Sequence, residues 1–127
     1  MPTALELTRE QLQPYVQAHR NRVWPKLTPA QETEREIKID LARQVARMLV
    51  AKYAANRVVL FGSLAHRDWY HDDSDIDLAA FGLGNDYFKA WGDAERIVDG
   101  YKIDLIDIGM ASDSLRKTIN EEGVDLP

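Results

Sequence analysis

The stretch VVLFGSLAHRDWYHDDSDIDLAAF, residues 58–81, decides how this chain folds. It begins and ends with short apolar runs, and a short apolar run bounded by turn residues predicts a buried strand. Gly62 and Ser63 follow the first run, and Asp75 and Asp77 open the second run after a connection of eleven residues. The sequence therefore predicts a glycine–serine turn at the end of one strand and two carboxylates on the next.

The glycine–serine turn has residues suited to close contact with a phosphate group. At Gly62 the backbone can approach a ligand because no side chain intervenes. Ser63 offers a hydroxyl group and is predicted to open a helix, whose free N–H groups attract anions. The simpler interpretation of the same two residues is a turn followed by a helix cap.

Asp75 and Asp77 are separated by one residue, so on a strand both carboxylates project to the same side. Carboxylates held this close repel each other, and one of them stays protonated unless a cation compensates. Mg²⁺ or Mn²⁺ would suit this pair, because hard divalent ions prefer oxygen ligands. The alternative is the solvated face of an edge strand.

Asp104 is the third acidic candidate. It lies among the mainly apolar residues 101–108, which predict a third strand, and an unpaired buried charge there would be costly. If this strand lies beside the strand of Asp75 and Asp77, Asp104 completes a set of three carboxylates. We expect it to act as a metal ligand and as the general base for an attacking hydroxyl group.

The first part of the chain, up to residue 54, has a helical pattern that breaks at residues 24–29, where two prolines interrupt it. Residues 1–24 are therefore predicted to form a separate helical arm with an apolar side that needs a surface to cover. That surface is either the remainder of the chain or a partner. Residues 25–127 are predicted to form the main domain.

The helix after the break is predicted to be amphipathic. Thr28 and Gln31 have the spacing of a capping box at its start. Lys38 is placed with the charged residues on its solvated side. Its buried stripe is predicted to contain Ile37, Leu41, Val45, Met48 and Leu49.

Strands and helices alternate along the remainder of the chain. Residues 57–61, 75–81 and 101–108 are predicted strands, and residues 86–98 and 112–122 are predicted helices. The predicted fold class is α/β (α+β), with a small mixed sheet of three to four strands flanked by helices.

The composition restricts the classes of function. The chain has 127 residues with 16 Lys+Arg and 21 Asp+Glu, which gives a formal net charge of -5. Proteins that bind duplex nucleic acid are usually basic, so no direct nucleic-acid binding is expected. The chain has no cysteine, which excludes disulfides and thiolate metal sites. It has no signal-peptide pattern and no apolar run long enough for a membrane span, so a cytoplasmic protein without membrane contact is expected.

Taken together, these motifs resemble the minimal nucleotidyltransferases of the polymerase-beta-like superfamily. The resemblance rests on Gly-Ser, an interval of the length found here, Asp-x-Asp, and a third Asp in a later strand, and it covers about residues 30–126. It implies a mixed sheet flanked by helices. It also implies that ATP, as the nucleoside triphosphate, binds through divalent ions, either Mg²⁺ or Mn²⁺.

The resemblance also implies roles for individual residues. Gly62 and Ser63 would bind the phosphates of the nucleotide. The metal ligands and catalytic carboxylates would be Asp75, Asp77 and Asp104. Family members often continue the motif as Gly-Ser-x-Ala-Arg-Gly, whereas this chain has His66 and Arg67 at the last two positions. Arg67 is expected to direct its positive charge toward the phosphates.

Many proteins of the resembling family are antitoxins paired with a HEPN-domain toxin, a helical ribonuclease. They transfer AMP from ATP onto a tyrosine of the toxin, and the resemblance implies this activity here. The chain leaves no room after its motifs for an acceptor-binding domain, so the acceptor is expected to be another protein or to be brought by one. Two alternatives stay open, namely a non-catalytic antitoxin or scaffold that works by binding its partner, and nucleotidyl transfer to a small molecule.

Overall fold

The computed structural model describes residues 26–127. Its main elements follow the order helix, strand, strand, helix, strand, helix and strand, with short 3-10 turns between several of them. The predicted helical arm, residues 1–24, lies outside the described residues. No helix within residues 26–127 is both long enough and apolar enough to span a membrane.

Helix α1 (Pro29–Tyr53) begins at the predicted capping box. The Gln31 backbone N–H donates to Thr28 Oγ1 at 3.1 Å, and the Thr28 N–H donates to Gln31 Oε1 at 3.0 Å. The two bonds satisfy N–H groups at the helix start, and Pro29 fits the first turn because it has no N–H to leave unpaired. The helix ends at Ala54, whose left-handed backbone turns the chain toward the first strand.

The sheet has four strands in the order β3-β2-β1-β4. β1 lies antiparallel to both β2 and β4, whereas β2 and β3 run parallel. The predicted mixed sheet is therefore confirmed, and the last strand, close to the end of the chain, completes it. The strands are β1 (Arg57–Phe61), β2 (Ile76–Phe81), β3 (Ile103–Asp107) and β4 (Val124–Leu126).

Two further helices complete the layers, α2 (Tyr87–Val98) and α3 (Asp113–Glu122). Helices α1 and α2 contribute to the larger apolar cluster, which contains Val58 and Leu60 from β1. A smaller cluster on the other face of the sheet contains Val59, Phe61, Ala79 and, from α3, Ile119. The predicted strands 57–61, 75–81 and 101–108 and the predicted helices 86–98 and 112–122 begin and end within two residues of the observed ends.

The predicted buried stripe of α1 is wrong at its first turns. Ile37 is 44% exposed, whereas Lys38, which was placed on the solvated side, is only 5% exposed. The buried side of the helix runs through Lys38, Ala42, Val45, Ala46 and Leu49. Small residues let α1 pack closely, and the ammonium group of Lys38 can be buried because polar groups surround it.

Candidate functional site

Gly62 lies directly against the carboxylate of Asp77. Phe61 and Asp77 are paired in the antiparallel ladder of β1 and β2, so the turn after β1 starts beside this aspartate. A Cβ atom at position 62 would lie 3.3 Å from Asp77 Cγ and would overlap Asp77 Oδ2. The backbone also has a φ of +76° there, a conformation that side chains disfavour. Glycine therefore brings the backbone of the turn into contact with the acidic residue.

Asp77 and Asp104 are neighbours across the parallel ladder of β2 and β3. This register confirms the expectation that the third strand lies beside the strand of Asp75 and Asp77. Ile76 and Leu78 are fully buried on the side of α1, so the alternating side chain of Asp77 belongs to the opposite face. Three acidic residues therefore lie at one end of the sheet, where β1 ends and β2 and β3 begin.

The electrostatics of Asp77 reflect this crowding. The pKa of Asp77 is raised from 3.8 to about 6, first by burial and then by the nearby charges of Asp104 and Asp75. The ammonium group of Lys102 acts in the opposite direction and lowers the pKa. A carboxyl group in this environment binds a proton readily or, equally, a cation that offsets the surrounding negative charge.

Asp104 and Asp75 lie in different surroundings from Asp77. Asp104 is exposed, so the burial cost expected for its charge does not arise. The reason is that β3 is the edge strand, whose buried side chains, Ile103 and Leu105, lie on its other face. Asp75 lies just before β2, and its Oδ2 is 3.7 Å from the Nζ of Lys102.

Ser63 is tied to the far end of the same connection. Its hydroxyl donates to Ser74 Oγ at 2.8 Å, and Ser74 Oγ also accepts from the His71 backbone N–H at 3.0 Å. The bond between Ser63 and Ser74 joins the glycine–serine turn to the residue that precedes Asp75. The helix expected at Ser63 is only the 3-10 turn Ser63–Ala65, so no long helix adds its dipole at this position.

Arg67 and His66 make contacts away from the three carboxylates. The guanidinium of Arg67 forms an ion pair with Glu32 on the first turn of α1. His66 Nε2 lies 2.7 Å from the carbonyl oxygen of Glu122 at the end of α3. The expected contact of Arg67 with phosphates stays a prediction, because its side chain is paired with Glu32 in this structure.

A cavity of about 470 Å³ opens beside Asp75. Acidic side chains and two lysines line it together with Tyr101, which is partly exposed. Lys38 reaches this cavity from α1, and its Nζ donates to the carbonyl oxygen of Ser74 at 2.8 Å. Sequence reasoning missed both Lys38 and Ser74 as site residues. The available signal was the spacing of Lys38, Ala42, Val45 and Leu49, which places the lysine on the buried stripe.

The donor set fits a hard divalent cation. Asp75, Asp77 and Asp104 offer only carboxylate oxygens, which Mg²⁺ and Mn²⁺ prefer. Across residues 26–127, no three Asp, Glu or His side chains already surround a single ion position. Asp77 is the residue that favours a cation here: burial first, and then the charges of Asp104 and Asp75, raise its pKa, and a cation would offset both the lost solvation and the negative charge.

Two solved structures resemble this fold. One is a crystal structure described as a toxin–antitoxin with AMP-PNP, at 24% sequence identity and a TM-score of 0.55, covering 67% of this chain and 72% of that chain. The other is a crystal structure of a mutant of the toxin–antitoxin MntA-HpeT, at 22% identity and a TM-score of 0.55, covering 68% of this chain and 72% of that chain. At these identities the likeness concerns the fold. No curated protein matches the chain.

The family of the chain follows from the region that carries the sheet and the three carboxylates. The family model for "Polymerase beta, Nucleotidyltransferase" matches residues 43–126, more than half of the sequence. That range includes Gly62, Ser63, Asp75, Asp77 and Asp104 and begins inside α1, after Lys38. The chain therefore belongs to the polymerase beta nucleotidyltransferase family.

Proposed function

We propose that this chain transfers AMP from ATP to a hydroxyl group of a partner protein and that it thereby acts as the antitoxin of a HEPN toxin pair. The observation that carries the proposal is the arrangement of Gly62, Asp77 and Asp104. A backbone turn without a side chain touches one carboxylate, and that carboxylate is the ladder neighbour of another. Such a site can accept a triphosphate and the cation that accompanies it.

The residues divide the chemistry between them. Asp75 and Asp77 would hold Mg²⁺ or Mn²⁺, and the ion supplies positive charge that neutralises the phosphate oxygens. Ser63 and the backbone N–H groups of the turn would bind the β- and γ-phosphates. Asp104, which is exposed, is accessible to an acceptor hydroxyl group and accepts its proton.

The proposed transfer balances as a single displacement at phosphorus. The acceptor oxygen forms a bond to the α-phosphorus as the bond from that phosphorus to the bridging oxygen of the β-phosphate breaks. The acceptor proton passes to Asp104, and pyrophosphate leaves. The product is an AMP ester of the acceptor.

The proposed partner is a HEPN-domain toxin, with a tyrosine as the acceptor residue. Two observations support this partner. One is the motif resemblance, and the other is the fold likeness to two structures described as toxin–antitoxin, one of them with AMP-PNP. A tyrosine hydroxyl suits the mechanism because a nearby carboxylate can take its proton during the attack.

The test takes as the acceptor the HEPN-domain protein that the proposal expects a neighbouring gene to encode. The two proteins are incubated with Mg²⁺ and with ATP labelled at either the α- or the γ-phosphate. We expect the α-label to appear on the partner, one pyrophosphate to be released for each AMP transferred, and the γ-label to stay off the protein. Asp77→Asn should reduce labelling to background, whereas Asp86→Asn, an exposed carboxylate before α2, should leave it unchanged. Absence of α-label on the partner with the wild-type chain would refute the proposal.

The second candidate is a non-catalytic antitoxin that neutralises its partner by contact. The positions where the motif departs from the family pattern favour it, because Arg67 is paired with Glu32 and His66 with the Glu122 carbonyl. Asp77→Asn distinguishes the two candidates in cells that express the toxin. Protection that survives this substitution supports neutralisation by binding, and loss of protection supports the transferase.

A further inference from the structure

The loop between the two motifs is held by the first turns of α1. Gln31 Nε2 donates to Asp72 Oδ1 at 3.0 Å, and Glu34 accepts a hydrogen bond from the hydroxyl of Tyr70. Lys38 makes the third and most buried of these contacts, through its bond to the Ser74 carbonyl. One helix thus fixes the loop at positions that lead directly into Asp75.

Lys38 is buried, which is unusual for a lysine, and a buried lysine needs partners for its charge. It is 5% exposed, and its Nζ lies 2.9 Å from Glu34 Oε1 and 2.8 Å from the Ser74 carbonyl oxygen. The ammonium also lies over the rings of Tyr70, at 5.2 Å, and Tyr101, at 5.8 Å. Two oxygen atoms and two aromatic faces therefore replace the water that the charge has lost.

Ser74 is the residue through which Lys38 can affect both halves of the site. Its side chain accepts the hydrogen bond from Ser63, and its carbonyl accepts the bond from Lys38. Asp75 follows it immediately and is only one residue from β2. The Ser74 peptide therefore leads directly into Asp75, while the Ser74 side chain holds the Ser63 hydroxyl.

We infer that Lys38 is a positioning residue for the nucleotidyl-transfer site, through the buried hydrogen bond from its ammonium group to the Ser74 carbonyl. This inference rests on the proposed function, since it assigns Asp75 and Asp77 to a divalent ion. Lys38 acts on the ion only through the backbone that carries these ligands. Substitution of groups that orient metal ligands typically lowers metal affinity by roughly 10- to 100-fold.

The test compares Mn²⁺ binding to the full-length variants by calorimetry, without nucleotide or partner. Lys38→Met removes the ammonium group and keeps the length of the side chain. Lys52→Met is the matched control, because Lys52 lies on the same helix and is paired with Asp93 on α2, away from the loop. A change in stability alone leaves the Mn²⁺ affinity of the folded chain unchanged well below its melting temperature.

We expect Lys38→Met to weaken Mn²⁺ binding about tenfold, whereas Lys52→Met binds like the wild type. If Lys38→Met does not fold, Lys38→Arg takes its place, because the larger planar guanidinium cannot occupy the position of the ammonium group without moving the loop. We expect Lys38→Arg to lose affinity in the same direction. Wild-type Mn²⁺ affinity in either folded Lys38 variant overturns the inference, as does absence of Mn²⁺ binding by the wild-type chain.

The two proposals can fail separately. A wild-type chain that binds Mn²⁺ and transfers no AMP refutes the proposed transfer, while the affinities of the Lys38 and Lys52 variants still decide the role of Lys38. Conversely, a chain that labels its partner but binds Mn²⁺ equally well with and without the Lys38 ammonium group keeps the transferase and loses the positioning role.

Discussion

At Asp77, backbone geometry, burial and charge meet on a single carboxyl group. Gly62 touches it from β1, Asp104 is its neighbour on β3, and the combined surroundings raise its pKa to about 6. Because the pKa is higher in the folded chain than in the unfolded chain, folding favours the protonated form. The ionised form therefore costs stability above about pH 6, and acidification from there toward 3.8, the ordinary pKa of an aspartate, removes the cost.

Replacing Asp77 with asparagine should therefore stabilise the metal-free protein. At pH 7.5 in EDTA we expect Asp77→Asn to raise the free energy of unfolding by up to about 3 kcal/mol, because each unit of pKa shift corresponds to about 1.4 kcal/mol. The difference from the wild type should shrink as the pH falls from 6 to 4. Urea unfolding across this pH range measures it, with Asp86→Asn as the control. A less stable Asp77→Asn protein at pH 7.5 would contradict the account.

Gly62 can be tested separately from its carboxylate neighbour. Gly62→Ala adds a Cβ that overlaps Asp77 Oδ2 in a left-handed backbone, so we expect a loss of about 1–3 kcal/mol in stability and loss of AMP transfer. Gly84→Ala is the matched control, because Gly84 also has a positive φ but open space around it. The control should lose about 1 kcal/mol and keep its activity. Equal activity in the two variants would show that contact with Asp77 is unimportant.

The acidic residues could be predicted from the sequence, but the partners of the basic residues could not. Strand alternation places Asp75 and Asp77 on one side, and an acidic residue in an apolar strand draws attention to Asp104. Arg67 instead pairs with Glu32 on α1, and Lys38 on α1 pairs with Ser74 in the loop, so each partner is far away in sequence. Such contacts depend on how the helix packs on the sheet, which local patterns do not specify.

At the scale of elements, the connection between β1 and β2 is the part of the site that the sequence described least well. The expected helix is reduced to two 3-10 turns, Ser63–Ala65 and Arg67–Trp69. Its shape comes from its two ends and from α1, through the Ser63–Ser74 bond and the Glu34–Tyr70 bond. The conformation of the loop therefore depends on its contacts with α1 as well as on the two strands that it connects.

The ion pair between Arg67 and Glu32 allows the role of Arg67 to be tested. Glu32→Gln releases the guanidinium and should leave ATP affinity unchanged or improve it. Arg67→Ala should weaken ATP binding about fivefold, as expected for loss of one charge-assisted contact of about 1 kcal/mol. Both should lose less than about 1 kcal/mol of stability, because the pair is exposed. If both substitutions weaken ATP binding equally, Arg67 acts only by holding the loop to α1.

At the scale of the whole molecule, the C-terminal segment closes the sheet beside the site. β4 pairs with β1, and Arg57 on β1 forms an ion pair with Asp125 on β4 at 2.6 Å. The sequence indicated the end of α3 at Gly123 but assigned no strand after it, because three residues are too few for a periodic pattern. β4 is defined by its pairing with β1, which lies far away in the sequence.

Gly123 shows why this closure needs a residue without a side chain. Its backbone N–H donates to the Ile119 carbonyl at 2.9 Å, and its φ of -73° would suit any residue. An added Cβ, however, would overlap Val59 Cγ1 in β1 and the Ile119 carbonyl oxygen. The glycine therefore serves the close packing of the α3 end on the sheet rather than a left-handed turn.

Two glycine-to-alanine substitutions should consequently change global stability in opposite directions. Gly123→Ala overpacks the contact with Val59 and should cost about 1–3 kcal/mol. Gly92→Ala, in the middle of α2, adds a Cβ that meets only Arg96 Nη2 at 4.0 Å, so the higher helix propensity of alanine should add about 0.5–1 kcal/mol. Urea unfolding of both variants measures the difference. A Gly123→Ala protein as stable as Gly92→Ala would contradict this expectation. It would mean that the end of α3 can shift away from β1 at little cost and that the pairing of β4 with β1 contributes little to stability.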